Sequence, residues 1–253
     1  MIYLLITLLI SIFSSDDNDF FSIPNVNKQI KEHIAEDQRK DSILIYMKQG
    51  KGFMKDYQKS HKKNLKRLKK SLNQETISSS EVKALFKKDT DELQQMQDSL
   101  IHYRLKIQIL INENEWKEIL KPITHPSDKY VKKKKKKQLR EKEKIEELLA
   151  ETKEMISKIM DDGDKKQEVL IAFDEFTNEI DDLIEYDHNY SYSKNETLKN
   201  RKATKHNLED VYAVKNKIRS EIHQSFHSFF GIAKKNTTED EWKDLRKELK
   251  NLF

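Results

Sequence analysis

The chain contains no cysteine, and only three prolines and four glycines in 253 residues. Without cysteine there is no disulfide, no thiol nucleophile, no thiolate zinc site and no lipid-carrying cysteine anchor. So few helix breakers, among so many Lys, Glu, Leu and Ile, point to long helices rather than strands. Apolar residues are in short supply as well, 36% against 37% charged. A thin, elongated helical packing suits that balance better than a thick globule. Catalytic signatures are missing too: there is no nucleotide-binding glycine loop, no nucleophile elbow and no HExxH. The fold class expected from these absences is all-α, with long antiparallel helical hairpins or a bundle, and the expected protein is not an enzyme.

What is present is organised around two related stretches. Ile111-Asn112-Glu113-Asn114-Glu115-Trp116 recurs, altered, as Thr237-Thr238-Glu239-Asp240-Glu241-Trp242. Asn112 and Thr238 are placed as helix N-caps, and Glu115 and Glu241, three residues on, as the returning half of a capping box. Ile111 and Trp116 have the spacing of a hydrophobic staple; Thr237 and Trp242 do not. Upstream of each Trp the plan is similar: helix, glycine-marked break, helix, polar loop, long helix. The chain therefore divides into residues 1–15, an apolar leader; 16–27, a spacer; 28–121, helical half one; 122–137, a Pro/Lys-rich linker; and 138–253, helical half two. The halves read equally as a duplication or as independent use of common cap chemistry.

Met1 to Ser15 has the length and apolarity of a signal-peptide core, shorter than the roughly 20 residues of a spanning helix. No Lys or Arg precedes it, so a short anchor and a mis-set start stay open beside export. In half one, Ile43, Met47, Gly50, Met54, Tyr57, His61, Leu65, Leu68 and Leu72 follow helical steps, with Gly50 and Gly52 expected to kink or divide the helix. Asn73 to Ser80 reads as a loop whose serines cap the next helix. That helix has the cleanest seam, Leu93, Met96, Leu100, Tyr103, Ile107 and Leu110, broken backwards at Asp89. Pro122 and Pro126 are expected to stop helix formation. Half two has stripes through Ile145 to Ile159, Val169 to Leu183 and Leu208 to Ile232, with a break at Asp161-Asp162-Gly163-Asp164 and a polar loop from His188 to Asn195.

Charge is unevenly placed. Lys28 to Lys70 holds 14 basic against 5 acidic residues, and Glu141 to Asp187 holds 6 basic against 17 acidic. Solvated helix faces account for such runs, and so does attraction between arms of opposite sign. Lys132, Lys133, Lys134, Lys135, Lys136 and Lys137 are consecutive. They read as a solvated extension at a helix start, as a contact for polyanions such as nucleic acid or anionic membrane, or as a localisation signal. His223 and His227 share a helix face at metal-ligand spacing but lack a third ligand in the sequence. The DDGD stretch fails the EF-hand pattern, because Lys166 falls where the loop needs glycine. Asn189, Asn195 and Asn236 begin N-glycosylation sequons. No metal, no cofactor and no small-molecule substrate is read from the chain.

The two Trp-headed stretches resemble, faintly, the repeated Leu-Thr-x-x-Gln motif of periplasmic Spy/CpxP-type stress proteins. The corresponding pentapeptides are Ile111 to Glu115 and Thr237 to Glu241. Neither carries the Leu or the Gln, and only the second has the Thr. The resemblance implies an all-helical, dimeric, chaperone-like envelope protein. Three functions are therefore carried forward: an exported, non-enzymatic binding or scaffold protein, chaperone-like in one form; a polyanion-binding helical protein; and a coiled-coil protein that self-associates through the Leu93 to Leu110 seam.

Overall fold

A computed structural model of the protein describes residues 20–23, 25–72, 78–124, 128–161, 163–189 and 196–252. Among these residues the chain forms a 3-10 turn, Phe20–Ser22, and nine α-helices, with no strand. The helices are α1 Val26–His33, α2 Asp37–Leu72, α3 Ser79–Leu110, α4 Glu113–Thr124, α5 Asp128–Ile159, α6 Gly163–Asn189, α7 Glu196–Lys199, α8 Lys205–Asn236 and α9 Glu239–Leu252. The leader at residues 1–15 and the centres of both polar loops lie outside the described residues.

The long helices pack side by side as an all-helical bundle. α2 pairs with α3 as an antiparallel hairpin, α3 lies against α8, α8 against α6, and α6 against α5. α9 touches both α5 and α2, and α1 sits on α2 and α4. Two apolar cores result. One gathers Phe173, Phe176, Phe226, Phe229, Phe230 and Trp242 with Leu68 and Val82. The other gathers Phe20, Phe21, Ile30, Ile43, Met47, Leu100 and Trp116 with Leu198, Leu208 and Tyr212. Each core takes residues from both sequence halves, because α2, α3 and α8 run from one core into the other.

Several expectations need correction. α2 is continuous through Gly50 and Gly52 over 36 residues. Gly50 is there for space: a Cβ at that position would overlap the Phe21 ring, whereas one at Gly52 would meet nothing. Apolar contacts along the helix outweigh the roughly 1 kcal/mol propensity cost of each glycine. The stretch read as a spacer is partly core, since Phe20, Phe21, Ile23 and Val26 are all buried. Pro122 does not end its helix, because α4 continues to Thr124. Pro122 lacks the N–H that would bond the Glu118 carbonyl, so the helix gives up a single hydrogen bond in its last turns. The Thr124 hydroxyl donates to the carbonyls of Leu120 and Lys121 at 3.2 and 3.4 Å. The second part of the linker is helix as well, because α5 begins at Asp128 and contains Lys132 to Lys137.

The stripes on α3 and α8 are also rotated from their sequence reading. On α8 a buried stripe runs through Leu208, Tyr212, Lys215, Arg219, Ile222, Phe226, Phe229, Ala233 and Asn236 in alternating four- and three-residue steps, and Phe230 is buried beside it. Val211, Ile218 and Ile232 only flank it. Two buried cations on the true stripe hid it from a reading based on apolar residues. On α3, Arg104 is buried and Tyr103 is not. Leu93, Met96, Leu100 and Ile107 are buried within the chain's own bundle.

Candidate functional site

α2 carries the largest excess of basic over acidic residues of any helix, 12 Lys and Arg against 3 Asp. Its core-facing stripe is apolar, which leaves Lys48, Lys55, Lys62, Lys63, Lys66, Arg67 and Lys70 exposed to solvent. Among the described residues none of these seven has an acidic partner at ion-pair distance. Lys59, on the same face, has one long pairing with Asp56 at 3.6 Å. The acidic counterpart is on α5 and α6, and it is not packed on α2. There burial first, then crowding by Glu221 and Asp182, raises the Glu179 carboxyl above its ordinary value. Burial likewise raises Asp181; Lys142 opposes it, while Glu146 and Asp182 add to it. The two arms of opposite sign therefore leave each other's charge unneutralised within one chain.

Beneath the basic face lies a buried polar layer. His61, on the apolar stripe of α2, meets Asp89, the residue that breaks the seam of α3. His61 Nδ1 is 2.8 Å from both carboxylate oxygens of Asp89. The Asn64 amide donates to Asp89 at 3.2 Å and to Glu92 at 2.8 Å. Ser60 donates to Glu92 at 2.6 Å, and the Tyr57 hydroxyl to Asp89 at 3.4 Å. Burial pushes the Asp89 carboxyl up, but the hydrogen bond and charge of His61, with help from Asn64 and His223, outweigh it and hold it below its ordinary value. His223 stacks on Phe86, ring centroids 4.3 Å apart. Burial, opposed by Asp89 and aided by Arg219 and His61, lowers its pKa to about 4. Beyond this layer, Gln97 and Asn216 exchange two amide hydrogen bonds at 3.1 and 2.7 Å.

A His–Asp pair can orient a general base, but here both side chains are packed away from solvent, 3% and 12% exposed. A small cleft lies elsewhere, between Phe20, Leu100, Arg104, Leu198 and Tyr212, with room for about one water. The layer reads as a register device between α2 and α3: a slip of either helix would strand buried polar groups. Among the described residues no three His, Asp or Glu side chains converge as a metal site requires. His223 and His227 gain no third ligand.

The two Trp stretches sit in different surroundings. Asn112 N–H donates to Glu115 at 2.8 Å, and Glu115 N–H to the Asn112 side chain at 3.0 Å. Glu115 also accepts a two-pronged contact from Arg39, at 2.6 and 3.1 Å. Trp116 stacks on Phe20 at 5.0 Å, and Arg104 lies 3.9 Å above the Trp116 ring. The indole N–H donates to the Lys199 carbonyl at 2.6 Å. Arg104 donates to the Leu198 carbonyl at 2.9 Å, and Arg201 to the carbonyls of Gln108 and Ile111 at 3.1 and 3.2 Å. In the second copy Thr238 N–H donates to Glu241 at 2.7 Å, and Glu241 N–H to the Thr238 hydroxyl at 3.3 Å. The backbone N–H of Thr238 and the smaller contributions of its hydroxyl, Asp161 and Lys165 together outweigh burial and hold the Glu241 carboxyl below its ordinary range. Trp242 meets Phe230 edge to face at 5.1 Å. Its N–H is buried with no acceptor among the described residues.

Of the lysines in the run, Lys132 and Lys136 are exposed on α5; the side chains of Lys133, Lys134, Lys135 and Lys137 lie outside the described part. The Asn236 sequon is closed in the folded chain, because its amide is buried and donates to Glu168 at 2.7 Å. Arg39, Arg104 and the Thr204–Asn207 capping box that starts α8 were not singled out from sequence. The Thr-x-x-Asn spacing was the available signal for the box. Against models of protein families, characterised proteins and solved structures, the chain matches none.

Proposed function

We propose that this chain is a non-enzymatic helical binding protein that holds a polyanion on the exposed basic face of α2. The observation that supports this most directly is that Lys48, Lys55, Lys62, Lys63, Lys66, Arg67 and Lys70 are exposed on α2 with no acidic partner at ion-pair distance among the described residues. Such a row repels itself, and an anionic chain or surface relieves that repulsion while releasing counterions. A helix of 36 residues spreads these charges along its length, which suits an extended ligand better than a small one. The reading includes export. Met1 to Ser15 has the character of a signal core, and cleavage after Ser15 would still retain Phe20 and Phe21 for the core they fill. Among the described residues no helix is long and apolar enough to cross a membrane.

The test is a salt titration of binding to heparin, duplex DNA and anionic vesicles. The wild type is compared with a variant carrying Lys62→Gln, Lys63→Gln, Lys66→Gln and Lys70→Gln, and with one neutralising Lys132 to Lys137. The α2 variant is expected to weaken binding and to flatten the salt dependence by roughly one unit of slope per charge removed. Unchanged binding in the α2 variant, with loss in the α5 variant, would move the site to the lysine run. N-terminal sequencing of the mature protein tests export: an intact Met1 on a cytosolic protein would reject it.

A further inference from the structure

The hairpin face that carries the basic row changes character toward the other end. Ile45 is 55% exposed, Phe53 43% and Ile109 82%. Single exposed apolar side chains are ordinary on protein surfaces, but these are grouped. The antiparallel pairing of α2 with α3 sets Tyr103 beside both Tyr46 and Phe53, with ring centroids 6.0 Å apart in each case. Lys106 Nζ lies 5.3 Å from the Tyr46 ring centre and 5.6 Å from that of Tyr103. Ile109 follows His102 by two helical turns on the outer side of α3, and the His102 ring touches Tyr103 at 5.1 Å. One side of one hairpin thus presents aliphatic groups, amphipathic aromatics and, further along α2, a row of lysines.

We infer that this outer face of the α2–α3 hairpin docks on an anionic lipid surface, with Ile45, Phe53 and Ile109 entering the headgroup boundary and the α2 lysines meeting the lipid phosphates. The inference rests on the basic-face reading and names its ligand class. The chemistry separates lipid from the other polyanions. Duplex nucleic acid and sulfated polysaccharide meet lysines but give exposed isoleucine nothing to bury in. A single strand needs open aromatic faces for stacking, and here Lys106 already covers Tyr46 and Tyr103. A bilayer interface accepts all three kinds of side chain: aliphatic groups insert, tyrosines sit at the headgroup level, and lysines are drawn by the surface charge.

The experiment uses the full chain and vesicles of phosphatidylcholine with or without phosphatidylglycerol, read by co-sedimentation, with heparin and single-stranded DNA as parallel ligands. A triple variant, Ile45→Ser, Phe53→Ser and Ile109→Ser, alters only exposed groups, and its helicity is checked by circular dichroism. Wild type is expected to bind the anionic vesicles and not the neutral ones. The triple variant is expected to lose at least about tenfold in vesicle affinity while binding heparin as before. Vesicle binding equal to wild type in the triple variant would overturn the lipid assignment and leave the basic face standing. Loss of single-stranded DNA binding without loss of vesicle binding would overturn it in favour of a nucleic acid. If instead the α2 lysine variant binds every polyanion as tightly as wild type, the basic-face reading itself fails, and this inference with it.

Discussion

Trp116 and Trp242 head helices that start with the same cap chemistry, yet the surroundings of the two rings differ in kind. Trp116 has polar and charged partners as well as an apolar one: Phe20 stacks beneath it, Arg104 lies above it, and the Lys199 carbonyl accepts from its N–H. Its cap glutamate is shared with Arg39. Trp242 is held by apolar contact, with Phe230 across its face and Leu245 in the same core. A local sequence pattern therefore set how each helix begins, and it had no influence over what each indole meets. The Trp116 region ties four parts of the chain together: the N-terminal turn, α3, α4 and the α7 turn. The Trp242 region seats α9 on one end of the bundle.

The largest expected effect tests that difference directly. Trp116→Ala removes a stacked ring, a cation–π contact and a hydrogen bond from a centre that joins four segments, and is expected to cost roughly 3–5 kcal/mol in urea unfolding. Trp242→Ala, at the rim of the bundle, is expected to cost less. Equal costs would mean that the polar surroundings of Trp116 add nothing to packing.

Next in size is the response to acid where the two cores meet. In the native protein His223 stays neutral down to about pH 4, against an ordinary value of 6.5. Between these values the unfolded chain takes up a proton that the folded chain refuses, so stability falls as pH falls from about 6.5 to about 4. The loss is at most on the order of 3 kcal/mol. Asp89, whose carboxyl is held below its ordinary value, adds a further loss only below about pH 4, where its ion pair is protonated away. Urea midpoints measured across this range should show the decline, and His223→Phe, which keeps a ring against Phe86, should flatten its upper part. A decline of the same size in that variant would place the responsible proton elsewhere.

The finest comparison is Trp to Phe. Trp116→Phe leaves the Lys199 carbonyl without its donor and is expected to cost about 1–2 kcal/mol beyond the change in ring size. Trp242→Phe has no such bond to lose. It removes a buried N–H that has no acceptor among the described residues, so it is expected to be close to neutral. A reversed order would show that the contrast between the two indoles has been misjudged.

Legibility followed the range of each interaction. Cap boxes and the helix ends at Leu72 and Ile159 depend on residues within a few positions of one another, and the sequence displays them. The basic α2 face was visible as a charge excess; that it stays unneutralised depends on which helices lie beside it. The grouping of Tyr46, Phe53 and Tyr103 on the hairpin could not be seen at all, because Phe53 and Tyr103 are 50 positions apart. The reading of Gly50 as a breaker failed for the same reason, since the Phe21 ring that needs its space lies on a distant turn of chain. Arg104, Lys215 and Arg219 misled the stripe reading because a cation at a core position looks like a surface position until its partners are known.

By itself, then, the sequence determined that the chain is helical, where most helices start, and where its charge accumulates, because propensity, capping and charge are properties of neighbours along the chain. Tertiary structure alone decided that His61 meets Asp89, that Arg104 covers Trp116, and that the two halves share both cores. Those contacts join residues from 12 to more than 90 positions apart, and no local pattern encodes which side chain will fill a given site.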